Sequence, residues 1–301
     1  MISRGARITA PSLAALTCGV LLQRRGWAVR CVTAAALPSG AIMLRPATAR
    51  LLCDLWDDPA GALIADAHAV RQRIVRWGTA PETRVAQPGL VVDLARLLTA
   101  LAARLAAPAA DDAMDWMVAA RPGDATALGE MARAGRRQAW ISQVRLRDAA
   151  AEDTAVLEQC GRAWFMLLPR GGGHAVLHSV GLDGEPPPPP PGIAALIGRA
   201  LTQTGPFAAM PRLRIPAARG GLIALGEAAL GLDPLCGDGA GHALRGAWAA
   251  AEALTAADTR ATLDTYTQGL RFAFDRHVAA CASLYAACGP AWAAESPPFC
   301  R

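Results

Sequence analysis

Residues 221–245 read Gly221-Leu222-Ile223-Ala224-Leu225-Gly226-Glu227-Ala228-Ala229-Leu230-Gly231-Leu232-Asp233-Pro234-Leu235-Cys236-Gly237-Asp238-Gly239-Ala240-Gly241-His242-Ala243-Leu244-Arg245. The short apolar run that ends at Gly226 suits a buried strand. Glu227 follows, where a carboxylate can accept hydrogen bonds from a sugar or polyol hydroxyl. Pro234, Gly237, Asp238, Gly239 and Ala240 then open a helix. Its first N–H groups have no partner in the helix and lie at the positive end of the dipole, so they attract negative charge. Glycines there let a flat ring or an anion approach the backbone. The other reading is a glycine-rich turn that merely precedes a core helix.

Outward from this stretch the chain alternates strand and helix signals. At the N-terminus, 7–10 reads as a strand, 12–25 as an apolar helix and 27–33 as the next strand, with Gly26 where a C′ glycine belongs. That is a βαβ opening. Arg4 and Arg7 ahead of Ile8–Leu22 imitate a signal peptide, and Ala15-Leu16-Thr17-Cys18 a poor lipobox. The strand–helix–strand reading is preferred, because Gln23-Arg24-Arg25-Gly26 ends a helix and Trp27–Val32 makes a second strand. Pro46–Trp56 and Val91–Ala106 read as helices, and Trp116-Met117-Val118 as a buried strand. From Gln138 to Val180 the period changes to that of strands. Ala163–Leu168 and His174–Val180 form a hairpin around Gly171-Gly172-Gly173. Pro186–Pro191 predicts a surface polyproline II spacer, and 192–202 a helix. Strands are expected at 213–216 and 221–225, and a helix at 239–256. The last helix carries Tyr266, Leu270, Phe274, Val278, Cys281 and Tyr285 on one stripe.

The 221–245 stretch resembles the second flavin-binding motif of the FAD-dependent aromatic hydroxylase superfamily. That motif reads Gly-Asp-Ala-Ala, a short spacer, Pro-Leu-x-Gly-x-Gly and a helix. The resemblance implies that Gly226 and Glu227 border the ribityl chain, with Glu227 standing where the family has Asp. It also implies that Pro234, Gly237, Asp238, Gly239 and Ala240 present backbone to the flavin ring. Residues 7–33 have the layout of the family's FAD-binding βαβ. The tail, with Tyr285, Trp292 and Ser296-Pro297-Pro298-Phe299, is similar to a subgroup near the tryptophan halogenases and the flavoproteins that hydroxylate tryptophan in quinone-cofactor maturation.

The chain departs from that pattern at the phosphate end. Glycines of the dinucleotide fingerprint belong at 10, 12 and 15, where this chain has Ala10, Ser12 and Ala15. They make the tight turn, admit the pyrophosphate and allow helix–strand packing. Thr33 replaces the ribose-binding acid, and Val118-Ala119-Ala120-Arg121-Pro122-Gly123 lacks the Asp of a third motif. The expected fold is therefore α/β: an interrupted Rossmann-like FAD-domain half (1–135 and 213–260), an inserted sheet-containing substrate domain (136–212) and a C-terminal helical segment (261–301). The expected function is a degenerate FAD-dependent monooxygenase-like protein with weak or lost FAD binding. It would act as a partner or scaffold beside an active flavoenzyme, or with a peptide substrate partner. The alternative is an active FAD-dependent monooxygenase that hydroxylates an aromatic, tryptophan-like substrate.

Composition narrows the field. The 301 residues are 53% hydrophobic and 18% charged, which excludes wholesale disorder. All 30 basic residues are Arg, so mechanisms that need a lysine amine are excluded, including the catalytic lysine of the tryptophan halogenases. The net charge of +5 is scattered and no zinc-finger spacing occurs, so nucleic-acid binding is not expected. Eight cysteines occur without CxxC spacing, and most read as small buried thiols of a cytoplasmic protein. His174 and His178 flank a strand-like run, and no metal site is expected. No transmembrane helix is expected either, since no run of 18 apolar residues occurs.

Overall fold

The computed structural model describes residues 4–32, 37–38, 40–107, 114–148 and 152–295. In chain order the first strands are β1 (Gly5–Ile8), β2 (Ala28–Cys31), β3 (Ala41–Leu44), β4 (His68–Arg76), β5 (Thr83–Asp93) and β6 (Trp116–Ala119). Next come β7 (Met131–Arg133), β8 (Gln138–Leu146), β9 (Thr154–Cys160), β10 (Ala163–Gly171) and β11 (His174–Gly181). The last are β12 (Ile197–Ala208), β13 (Arg212–Arg214), β14 (Ala218–Arg219), β15 (Leu222–Ala224) and β16 (Leu230–Gly231). The helices are α1 (Leu13–Gln23), α2 (Pro46–Leu55), α3 (Leu94–Ala103), α4 (Pro191–Ala194), α5 (Gly239–Thr255), α6 (Thr259–Ala286) and α7 (Pro290–Ala294).

These strands form three sheets. The first has the order β14-β15-β6-β1-β2, and the three pairings among β2, β1, β6 and β15 are parallel. Helix α1 leaves β1 for β2, whereas β6 pairs on the opposite side of β1. The carboxyl ends of β1 and β6 are therefore the point where an open α/β sheet takes ligands. Ser12 caps α1: its Oγ accepts the N–H of Ala15 at 3.1 Å. This helix is apolar all round and buried all round. One side packs on the sheet with Ile8, Val29, Val118 and Ile223, and the other meets Leu44, Leu52, Leu98 and Leu244.

The second sheet has the order β12-β8-β11-β10-β9-β4-β5-β3. Residues 41–93, grouped by the sequence reading with 1–135, supply β3, β4 and β5 to the same sheet as the strands of 138–208. The back of this sheet is closed by Ile193 of α4, which packs on Val144, Phe165 and Leu177, while Pro187 lies against Gly181. The third sheet, β16-β13-β7, is small. Helix α6 touches both large sheets: Tyr266 Oη donates to Ala224 O of β15, and Trp164 Nε1 of β10 donates to Tyr285 Oη. No helix among the described residues is long and apolar enough to cross a membrane.

Two expected helices change. Val91 and Val92 end a strand rather than start a helix, because they pair with Met43 and Ile42. Asp93 then caps α3 by accepting the N–H of Arg96. The helix expected at 192–202 is only the single turn α4, after which Ile197–Ala208 runs along β8 as an edge strand. Pairing with β8 outweighs the local alanine-rich signal. Thr33 and residues 296–299 lie outside the described residues.

Candidate functional site

The 226–240 stretch folds as two tight turns and a helix start. Gly226 has φ +52°, and a Cβ there would come within 3.2 Å of Ala14 Cβ, so this turn lies against the start of α1. Glu227 does not face inward: its side chain is 76% exposed and meets Arg212 at 3.6 Å. Pro234 opens a single turn through Cys236, and Gly237 leaves it with φ +60°, a conformation costly for other residues. Asp238 precedes α5 but does not cap it; its carboxylate instead accepts Arg245 at 2.7 Å and Thr48 Oγ1 at 3.5 Å. Nothing lies within 4 Å of the position a Gly239 Cβ would take, and Gly239 and Ala240 begin the 17-residue helix α5. The N-terminus of α5 thus keeps both free donors and open space.

The 234–238 loop packs against one face of the large sheet. Leu235 and Cys236 join Val75, Leu157, Trp164 and Met166 in one apolar cluster. Cross-strand pairing places Val75, Leu157, Met166, His178 and Ile141 in a row on that face. Arg73, two residues before Val75, is on the same face opposite Ala155 and is 8% exposed. Its Nε has no hydrogen-bond partner among the described residues, and neither does the buried Nε of Arg45. Arg45 reaches the loop, donating from NH2 to Cys236 O at 2.9 Å. Burial, and then the charge of Arg45, lower the pKa of Arg73. A buried Arg73 with its Nε unused and the charge of Arg45 near it suits an anionic group. His178 Nε2 is also buried and unpartnered, and burial pushes the imidazole down to about 4. The site therefore offers fixed positive charge and a neutral ring on an apolar floor. Nothing in sequence distinguished Arg45 and Arg73 from the other arginines; only the sheet register brings Arg73 to this face.

The β1–α1 turn has a different character. Ala10, Ala14 and Ala15 are at most 2% exposed. Ser12 Oγ already takes one of the helix's N-terminal donors. At the end of β1, Thr9 Oγ1 donates to Asp124 Oδ2 at 2.5 Å, and Arg121 N also donates to that oxygen, at 3.3 Å. A carboxylate is thus fixed at the crevice between β1 and β6. Set against FAD, the open position at Gly239 and the unpartnered Arg73 Nε suit an anionic group, whereas the Asp124 carboxylate beside Thr9 opposes a pyrophosphate at the β1–α1 end by like charge.

Beyond the loop, a buried network joins it to α6. Asp233 accepts from Arg137 Nε at 2.8 Å and from Tyr285 Oη at 3.0 Å, and its N–H donates to His277 Nε2 at 2.7 Å. Tyr285 stacks on Trp292 at 4.7 Å between ring centroids. Sequence reading placed Tyr285 and Trp292 in the tail motif without foreseeing this joint. It also missed His277 and Cys281, whose four-residue helical spacing was the available signal.

A parallel sheet with a βαβ opening, a large sheet over its ligand edge and C-terminal helices spanning both is the fold of the FAD-dependent aromatic hydroxylases and flavin-dependent halogenases. Among solved structures, the chain is similar to the peptidyl tryptophan dihydroxylase QhpG, essential for tryptophylquinone cofactor biogenesis (TM-score 0.80, 16% identity, 100% of this chain and 80% of that chain). It is also similar to the flavin-dependent halogenase CmlS (TM-score 0.75, 15% identity, 98% and 68%). A third is Klebsiella pneumoniae HpxO complexed with FAD and uric acid (TM-score 0.68, 16% identity, 95% and 88%). No family model matches the chain, and no curated protein matches it in sequence.

Proposed function

We propose that this chain uses the flavin-hydroxylase fold to bind a planar anionic ligand between the 234–240 stretch and the large sheet. On this reading it holds FAD weakly and serves as a partner subunit beside an active flavoenzyme. The observation that carries the reading is the buried, unpartnered guanidinium nitrogen of Arg73 beside Arg45, on the face against which the loop packs. The carboxylate of Asp124 and the self-capped Ser12 support weak FAD binding, since both oppose a diphosphate at the β1–α1 turn. A second reading, an FAD-dependent monooxygenase of an aromatic substrate, is favoured by the open N-terminus of α5.

Titration of the purified protein by calorimetry with benzoate, lumiflavin and FAD separates the two. The proposal expects saturable benzoate binding that Arg73→Met weakens at least about tenfold, the scale of one buried charge-assisted hydrogen bond. It also expects no stoichiometric flavin absorption after gel filtration. A yellow protein that keeps one FAD per chain overturns it in favour of the monooxygenase. Benzoate binding indifferent to Arg73→Met removes the anion pocket.

A further inference from the structure

The loop at 234–238 shares a second cluster with α6, on the side of the buried Asp233 network. Cys236 Sγ lies 3.8 Å from Cys281 Sγ, and Cys281 Sγ lies 3.5 Å from His277 Nε2. All three donor atoms lie within 4.8 Å of one another. His277 and Cys281 are buried and stand four residues apart on α6, so helix geometry presents both on one side. Cys236 is half-buried and comes from the loop. Zn–S bonds of about 2.3 Å and Zn–N bonds of about 2.0 Å at tetrahedral angles separate donors by about 3.8 Å (S to S) and about 3.5 Å (S to N). The two printed edges of the cluster have those lengths.

We propose that Cys236, His277 and Cys281 bind a thiophilic divalent cation, Zn2+, as a three-ligand site. No fourth His, Cys, Asp or Glu joins the group among the described residues, so water or an added anion completes the tetrahedron. Two thiolates and an imidazole select a soft or borderline ion over Mg2+ or Ca2+. His277 Nε2 accepts the Asp233 N–H, so that nitrogen carries no proton, and a metal would displace this donor from its lone pair. Metal binding releases thiol protons and exchanges the Asp233 hydrogen bond for a metal bond, so affinity rises with pH. The site shares Cys236 with the loop of the anion pocket, but its geometry does not depend on the function proposed for that pocket.

Metal analysis and cobalt substitution test it. Protein purified under thiol reductant, stripped with chelator and titrated with Zn2+ is expected to take one equivalent. Co2+ is expected to give thiolate-to-metal charge-transfer bands that Zn2+ bleaches. Cys236→Ser, on the half-buried loop, and Cys281→Ser are each expected to weaken binding at least about tenfold, since losing a ligand costs no less than losing its outer partner. Cys160→Ser, at an exposed cysteine, should leave binding unchanged. Sub-stoichiometric uptake, or cobalt bands that persist in Cys236→Ser, overturns the site. So does peptide mapping that finds a Cys236–Cys281 disulfide surviving in reductant, which would assign the pair to a structural crosslink.

Discussion

His178 is a buried base with no partner for Nε2, and its protonation should couple to stability. The ordinary imidazole value is 6.5, and burial holds the folded value at about 4. Above pH 6.5 both folded and unfolded chains carry the neutral ring. As pH falls from about 6.5 to about 4, the unfolded chain takes up a proton that the folded chain refuses. Stability is therefore present above the unfolded value and is lost through that window, by roughly 3 kcal/mol in all. Urea unfolding at stepped pH should record this slope, and His178→Leu should flatten it. An unchanged slope in that variant would mean that other groups set the acid sensitivity.

Among the elements, the β1–α1 turn is where sequence and structure meet most directly. Ala10, Ser12 and Ala15 stand where the sequence pattern expects glycines, and in the structure Ser12 Oγ caps α1 while Asp124 accepts from Thr9. Asp124→Asn removes the like charge but keeps an acceptor for Thr9. FAD binding should then tighten about tenfold, the roughly 1–2 kcal/mol expected of one partly screened charge pair. Unchanged FAD affinity would mean that the charge of Asp124 does not set it. Other elements were legible because their pattern is local: α2, the β10–β11 hairpin and α5 all follow periodicity or turn residues. Strand β12 was not legible. Its residues lie almost wholly exposed on a sheet edge, so no alternation marks them, and its conformation is dictated by pairing with β8. The pocket cations were illegible for a related reason. Arg45 and Arg73 are 28 positions apart, and only the sheet and loop bring them together.

At the scale of the molecule, α6 is 28 residues long and hydrogen-bonds to both large sheets. At its far end, Arg137 and Asp233 form an ion pair with side chains 1% and 0% exposed. Asp233→Asn keeps the shape but leaves Arg137 buried and charged without its counter-ion. The expected cost is about 3–5 kcal/mol, and because α6 couples the layers, both should respond. Far-UV circular dichroism and tryptophan fluorescence are expected to report one shared transition moved to lower denaturant. Two separated transitions would mean that the sheets fold independently.

The self-capped turn at Ser12 has a consequence for the life of the chain in a cell. A dinucleotide-dependent fold completes its first helix with a phosphate, so its folded population follows the supply of the vitamin from which the cofactor is made. Here a hydroxyl from the chain itself takes up one of those donors, and a carboxylate holds the neighbouring strand end. On the proposed reading of weak FAD binding, the chain is expected to mature on the ribosome's schedule and to accumulate when the vitamin is scarce.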